Sequence, residues 1–159
     1  MGLIGLSIRY ALATTLHDTE AVRKLVGKMR RLALALPFER VGPVIEVVRP
    51  HPLICFPVWP DKGCEPAAFG FCKLPAVEGW QWSFTCCTQH ASCPEQGGLE
   101  NFLRCHLAII GLLDAIKRAC LAEVEVKDDG GYWERRDPEA LAETARLWNG
   151  VDDPFPEGR

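Results

Sequence analysis

Five prolines, at positions 50, 52, 57, 60 and 66, crowd the middle of this chain. A prolyl ring fixes φ and removes an amide donor, so this density rules out a helix and argues against a central strand. Residues 49–66 are therefore expected to wrap over the surface as an insertion, pinned by Ile54, Phe56, Val58 and Trp59. A structureless loop of this length is uncommon in a compact domain and is often functional. Regular structure must lie on either side of it.

Ahead of the insertion, residues 3–14 alternate, with Ile4, Leu6, Ile8, Tyr10 and Leu12 apolar, as in a strand buried on one face. Asp18 is a good N-cap, and Glu20 suits the first turn of a helix. Val22, Leu25, Val26, Met29, Leu32, Ala33 and Leu36 then recur at helical spacing until Pro37 ends the run. A second strand fits residues 43–48. Beyond the insertion, strands fit 68–73 and 80–88, the latter with Trp80, Trp82, Phe84 and Cys86 on one face. Residues 89–98 read as a loop and 99–118 as a helix, apolar almost all round in its middle and so deeply buried. Residues 121–127 alternate as an exposed or edge strand does. A DDGG turn and a helix capped by Asp137, with Pro138 at its first position and Gly150 as its stop, complete the pattern.

The order is β-α-β, insertion, β-β-α-β, then a terminal helix. It predicts one α+β domain over residues 1–150, with residues 151–159 as a frayed tail. The expected architecture is a ferredoxin-like sandwich: two β-α-β halves and a mostly antiparallel sheet with helices on one face. One sheet face would remain to be covered by the insertion, the last helix or a second subunit, so a homodimer is expected.

The apolar share of 48%, charged share of 25% and net charge of −3 are those of a globular chain, not a disordered one. No apolar run reaches the roughly 20 residues that span a bilayer. The start lacks a basic region and is interrupted by Ser7 and Arg9, so it reads as mature chain and the location as cytoplasmic. In that setting the eight cysteines are expected as free thiols, several of them inside apolar runs. The pI of about 5.8 disfavours nucleic acid, although residues 1–50 carry eight Lys/Arg against four Asp/Glu.

Two segments could carry chemistry. Cys87, His90 and Cys93 follow one another at three-residue intervals, and Cys105 or His106 could complete a tetrahedral zinc site. The spacing matches no common zinc module. The same residues could instead serve cysteine catalysis, with Cys87 or Cys93 as nucleophile, His90 or His106 as base and Arg104 near an anion. His106 lies on the apolar stripe of its helix, where a hydrogen-bonded core histidine is the commoner use. The second segment, residues 128–137, joins carboxylates to Tyr132, Trp133, Glu134, Arg135 and Arg136; simple turn chemistry explains the Asp-Gly part. No P-loop, dinucleotide fingerprint, GxSxG or HExxH is present.

The expected function is a self-associating binding module without a cofactor. Its ligand is expected near residues 87–106 and 128–137, with Cys87, Gln89, His90, Arg104, His106, Tyr132, Trp133 and Glu134 as candidate residues. The alternative is a zinc-binding or Cys/His-dependent enzyme centred on Cys87, His90, Cys93 and His106.

Overall fold

A computed structural model describes residues 6–61 and 63–152. The start of the first predicted strand and the tail from residue 153 lie outside these. The elements are β1 (Ser7–Thr14), α1 (Thr19–Leu34), β2 (Arg40–Val41), β3 (Ile45–Val47), β4 (Leu53–Trp59), β5 (Ala67–Cys72), β6 (Trp80–Cys87), α2 (Gly98–Arg118), β7 (Glu123–Asp128), α3 (Tyr132–Arg135) and α4 (Pro138–Asp152). The sheet runs β2-β4-β5-β6-β1-β7, with β3 also on β4, and all its pairings are antiparallel. Because β6 and β7 both run against β1, they are parallel to each other, joined by α2 and separated by β1.

α1 forms where the periodicity places it. Asp18 accepts the Ala21 amide at 3.0 Å, and Val22, Leu25, Val26, Met29 and Ala33 are buried. Arg23 reaches Glu46 on β3 at 2.5 Å, which ties the helix to the sheet edge. α2 is the most deeply buried helix, with Phe102, Ile109, Leu112, Leu113 and Ile116 fully enclosed. α4 packs against α2, not on the uncovered sheet face, and runs past Gly150 to Asp152. Phe56, Phe69, Phe71 and Phe102 have no exposed surface. Each such side chain contributes about 1.5–3 kcal/mol on burial.

The proline-rich segment corrects the sequence reading, because β4 is an interior strand with β2 and β3 on one side and β5 on the other. Pro57 sits in the middle of it. Its carbonyl accepts the Gly42 amide at 2.8 Å, so its nitrogen also faces the β2/β3 side. There the edge strand bulges: Val41 pairs with Val58 but Ile45 pairs with Cys55, a register change of one residue. The missing donor thus falls where the ladder is interrupted. A Cβ on Gly42 would lie 2.7 Å from Pro57 Cγ, so the bulge needs glycine at that point.

Other differences are local. The second strand is split into β2 and β3 by this bulge, and residues 89–96 wind into two 3₁₀ turns. The last strand starts at Glu123 because Cys120 adopts a left-handed φ of 56° and Leu121 still bonds back to Ile116. β5 and β6 meet at a single paired position, Cys72 with Gln81. Beyond it the Ala68 carbonyl accepts from the Tyr10 hydroxyl at 2.7 Å and the Trp82 indole at 2.9 Å, so aromatic donors replace the ladder where the strands part.

Candidate functional site

The polar centre of the molecule is a chain of three buried side chains. Thr88 follows β6, His106 lies mid-helix on α2, and Asp128 ends β7. Thr88 Oγ1 is 2.7 Å from His106 Nδ1, and His106 Nε2 is 2.9 Å from Asp128 Oδ1. Neither the imidazole nor the carboxylate has exposed surface. In the neutral ring, Nε2–H donates to the carboxylate and Nδ1 accepts from the Thr88 hydroxyl. Asp128 also receives the Gly130 and Trp133 amides, each at 2.9 Å, so it fixes the Asp-Gly turn as well as the histidine.

Burial raises the Asp128 pKa, but the His106 hydrogen bond and charge, with the two amides, outweigh it and hold the carboxyl below its usual range. A carboxylate depressed in the folded state adds stability above its unfolded pKa of about 3.9 and loses it as pH falls through the folded value. Unfolding free energy is therefore expected to drop as pH falls from about 5 to about 2. The drop should be shallower in Asp128→Asn; urea titrations at several pH values with equal slopes in both proteins would contradict this.

Carboxylate, imidazole and hydroxyl in sequence are the parts of a nucleophilic triad. Here the Thr88 hydroxyl is enclosed and meets no solvent. As folded, the chain braces α2 against the ends of β6 and β7.

The candidate residues are spread around this brace. Cys87 is buried, its amide donating to Glu65 Oε1 at 3.1 Å. Gln89 is buried and hydrogen-bonded to Ser92 and Asn149, whereas His90 and Cys93 are exposed. Arg104 is exposed and paired with Asp61 at 2.8 Å, and Cys105 lies in the core. Tyr132 and Trp133 are half-buried and Glu134 is exposed. Arg136 packs over the Trp133 ring at 4.8 Å and pairs with Asp114 at 2.7 Å, which holds the Asp114 carboxyl below its usual range. The proposed ligands Cys87, His90, Cys93 and Cys105 are thus divided between core and surface. Among the described residues no group of three or more His, Cys, Asp or Glu is arranged to hold a metal ion.

None of the eight cysteines is in a disulfide. Cys64, Cys86 and Cys105 all belong to the buried core, and Cys86 Sγ lies 3.7 Å from the Glu65 carbonyl. Cys105, Cys86 and burial push the Cys64 thiol up. Sequence reasoning missed Thr88 as a partner of His106.

Accessible space lies on the face of the sheet that the described residues leave uncovered. The register sets three rows across β6, β1 and β7: Thr85, Arg9, Lys127; Ser83, Ala11, Glu125; Gln81, Ala13, Glu123. The flanking side chains are exposed and the alanines leave a shallow floor. A groove of about 620 Å³ here is lined by Arg9, Ser83, Thr85, Glu125, Lys127 and Trp133, among others. On the other half of the face, Ile45 stands beside Cys55 and Gly70, and Val47 beside Leu53 and Cys72. Ile45 and Val47 are 45% and 41% exposed. That half is apolar. Compared with protein-family models, curated proteins and solved structures, the chain matches none. No helix among the described residues is long and apolar enough to cross a membrane.

Proposed function

We propose that the chain is a small cytoplasmic binding module that works as a homodimer, joined through the open face of its sheet. The observation that carries this reading is the uncovered apolar half formed by Ile45, Val47, Leu53, Cys55 and Cys72. Both sheet edges discourage strand addition, one by Pro43 and the bulge, the other by the charges of β7. The face itself is what remains. Six strands about 4.8 Å apart and roughly seven residues long give about 700 Å², close to the ~800 Å² per partner of a standard interface.

Charge supports the same pairing. A twofold axis lying in the face and crossing the strands sets the apolar half of one copy on that of the other. It also lays the Arg9–Lys127 row over the Gln81–Glu123 row of the second copy. The ligand is taken at the rim of the groove, where Tyr132, Trp133 and Glu134 stand. We read the architecture as an enlarged ferredoxin-like sandwich, with β1-α1-β2/β3 and β6-α2-β7 as its halves and β4–β5 as the addition.

Val47→Glu places a charge in the apolar half without touching the core. Its elution in size-exclusion chromatography is expected to shift to that of a monomer, with unchanged circular dichroism. Coelution of variant and native chain across micromolar loadings would remove the apolar half from the interface.

A further inference from the structure

α1 packs on β4 and β5 from the side of the sheet opposite the proposed dimer face, and turns its outer face to solvent. Lys24, Lys28 and Arg31 recur there at i, i+4 and i+7, all exposed. No hydrogen bond, ion pair or ring contact ties any of them to another described residue. By contrast, Arg23, Arg104, Arg118, Arg136 and Arg146 each hold a carboxylate. Residues 1–50 carry eight Lys/Arg, and three of their four carboxylates are already used: Asp18 caps α1, while Glu20 and Glu46 hold Arg23. Apolar side chains flank the stripe. Leu34 stands three residues past Arg31 and is 54% exposed. Val48, 74% exposed, and Arg49 follow Glu46 by two and three residues, so the Arg23–Glu46 bond brings them beside α1. A single helix presents a convex face, which offers a small ligand no cleft but lies flat on a plane. The stripe carries no aromatic ring on which a base could stack, so a lipid headgroup layer fits it better than a nucleic acid.

We propose that the outer face of α1 docks on a membrane surface rich in anionic lipids. Lys24, Lys28, Arg31 and Arg49 meet the headgroups, and Leu34 and Val48 enter the boundary with the acyl chains. The helix rests on the bilayer and does not cross it. Each cation near such a surface adds several-fold to the affinity, and the attraction fades within a Debye length. Attachment is therefore weak, reversible and sensitive to salt. The rest of the chain orients it: residues 119–159 carry five Lys/Arg against eleven Asp/Glu, so an anionic surface repels that end and attracts the end bearing α1. The dimer face is on the other layer of the molecule, so docking does not depend on the homodimer.

Flotation of the full chain with phosphatidylcholine vesicles, containing about 30% phosphatidylserine or none, at about 50 and about 300 mM salt, tests this. The native chain should float with the anionic vesicles at low salt, and stay behind at high salt or with neutral vesicles. Lys24→Gln with Lys28→Gln should lower the partition coefficient roughly 20-fold. Leu34→Ser should lower it roughly fivefold. Val47→Glu, on the dimer face, should float as the native chain does, which separates this proposal from the homodimer. Equal flotation with neutral vesicles, none with anionic vesicles at low salt, or native behaviour of the Lys24/Lys28 variant would overturn the proposal. A single-stranded RNA that strips the native chain from the vesicles at low salt would overturn it in favour of nucleic acid. The lipid and salt dependence of the native chain decides this even if a variant folds poorly.

Discussion

Replacing His106 by alanine should cost about 3–5 kcal/mol, enough to bring a domain of ordinary stability near its limit. The imidazole fills enclosed space against Phe102, whose ring centre lies 5.2 Å away. Its removal leaves a cavity, a buried carboxylate without its main partner, and a hydroxyl whose 2.7 Å contact is gone. The carboxylate dominates, because a buried charge left without its partner loses far more than one neutral hydrogen bond is worth. Urea unfolding of His106→Ala, Asp128→Asn and the double variant separates the parts. The double variant should be less destabilised than the sum of the two, since the pair is lost only once. A loss below about 1 kcal/mol for His106→Ala would mean that the brace is not structural.

Gly70→Ala should be the second severe change. A Cβ there would lie 2.1 Å from the Ile54 carbonyl oxygen and 2.5 Å from Cys55 Cα, both backbone atoms of the adjoining strand. Backbone in a paired sheet cannot step aside as a side-chain tip can, so β4 and β5 must separate. The cost is roughly 2–3 kcal/mol, the upper range for overpacking. Gly27 in α1 provides the contrast, with nothing within 4 Å of its Cβ position. Gly27→Ala should stabilise by about 0.5–1 kcal/mol through helix propensity. Thermal melts of the two variants should therefore move in opposite directions. If Gly70→Ala melts with the native chain, the close approach of β4 and β5 is wrong.

The three long helices and most strands were legible because their signals are local, whereas the single turn of α3 at Tyr132–Arg135 was not read as a helix. The stripe from Val22 to Leu36, the cap at Asp18 and the alternation in β1 and β6 each need only neighbouring residues. β4 was not legible, because Pro57 is admissible only where the partner strand bulges, and Gly42 lies 15 residues away in sequence. His106 could be read as a buried, hydrogen-bonded histidine from the apolar positions around it. Its partners could not, since Thr88 and Asp128 come together through the placement of β6 and β7 on either side of β1. The same holds for Cys64, whose sequence neighbours Gly63 and Glu65 give no hint that it is buried in the core with Cys86 and Cys105. The open face is another product of register. Ile45, Val47 and Leu53 form an apolar field only once β3, β4 and β5 are aligned.

Sedimentation equilibrium of the full chain across about 1–100 µM, a span that covers ordinary association constants, is the most direct measurement of how this face is used. A particle of twice 17.7 kDa is expected at the upper end, dissociating on dilution and in Val47→Glu. A single 17.7 kDa species throughout would contradict the homodimer and leave the apolar half of the sheet without its proposed partner.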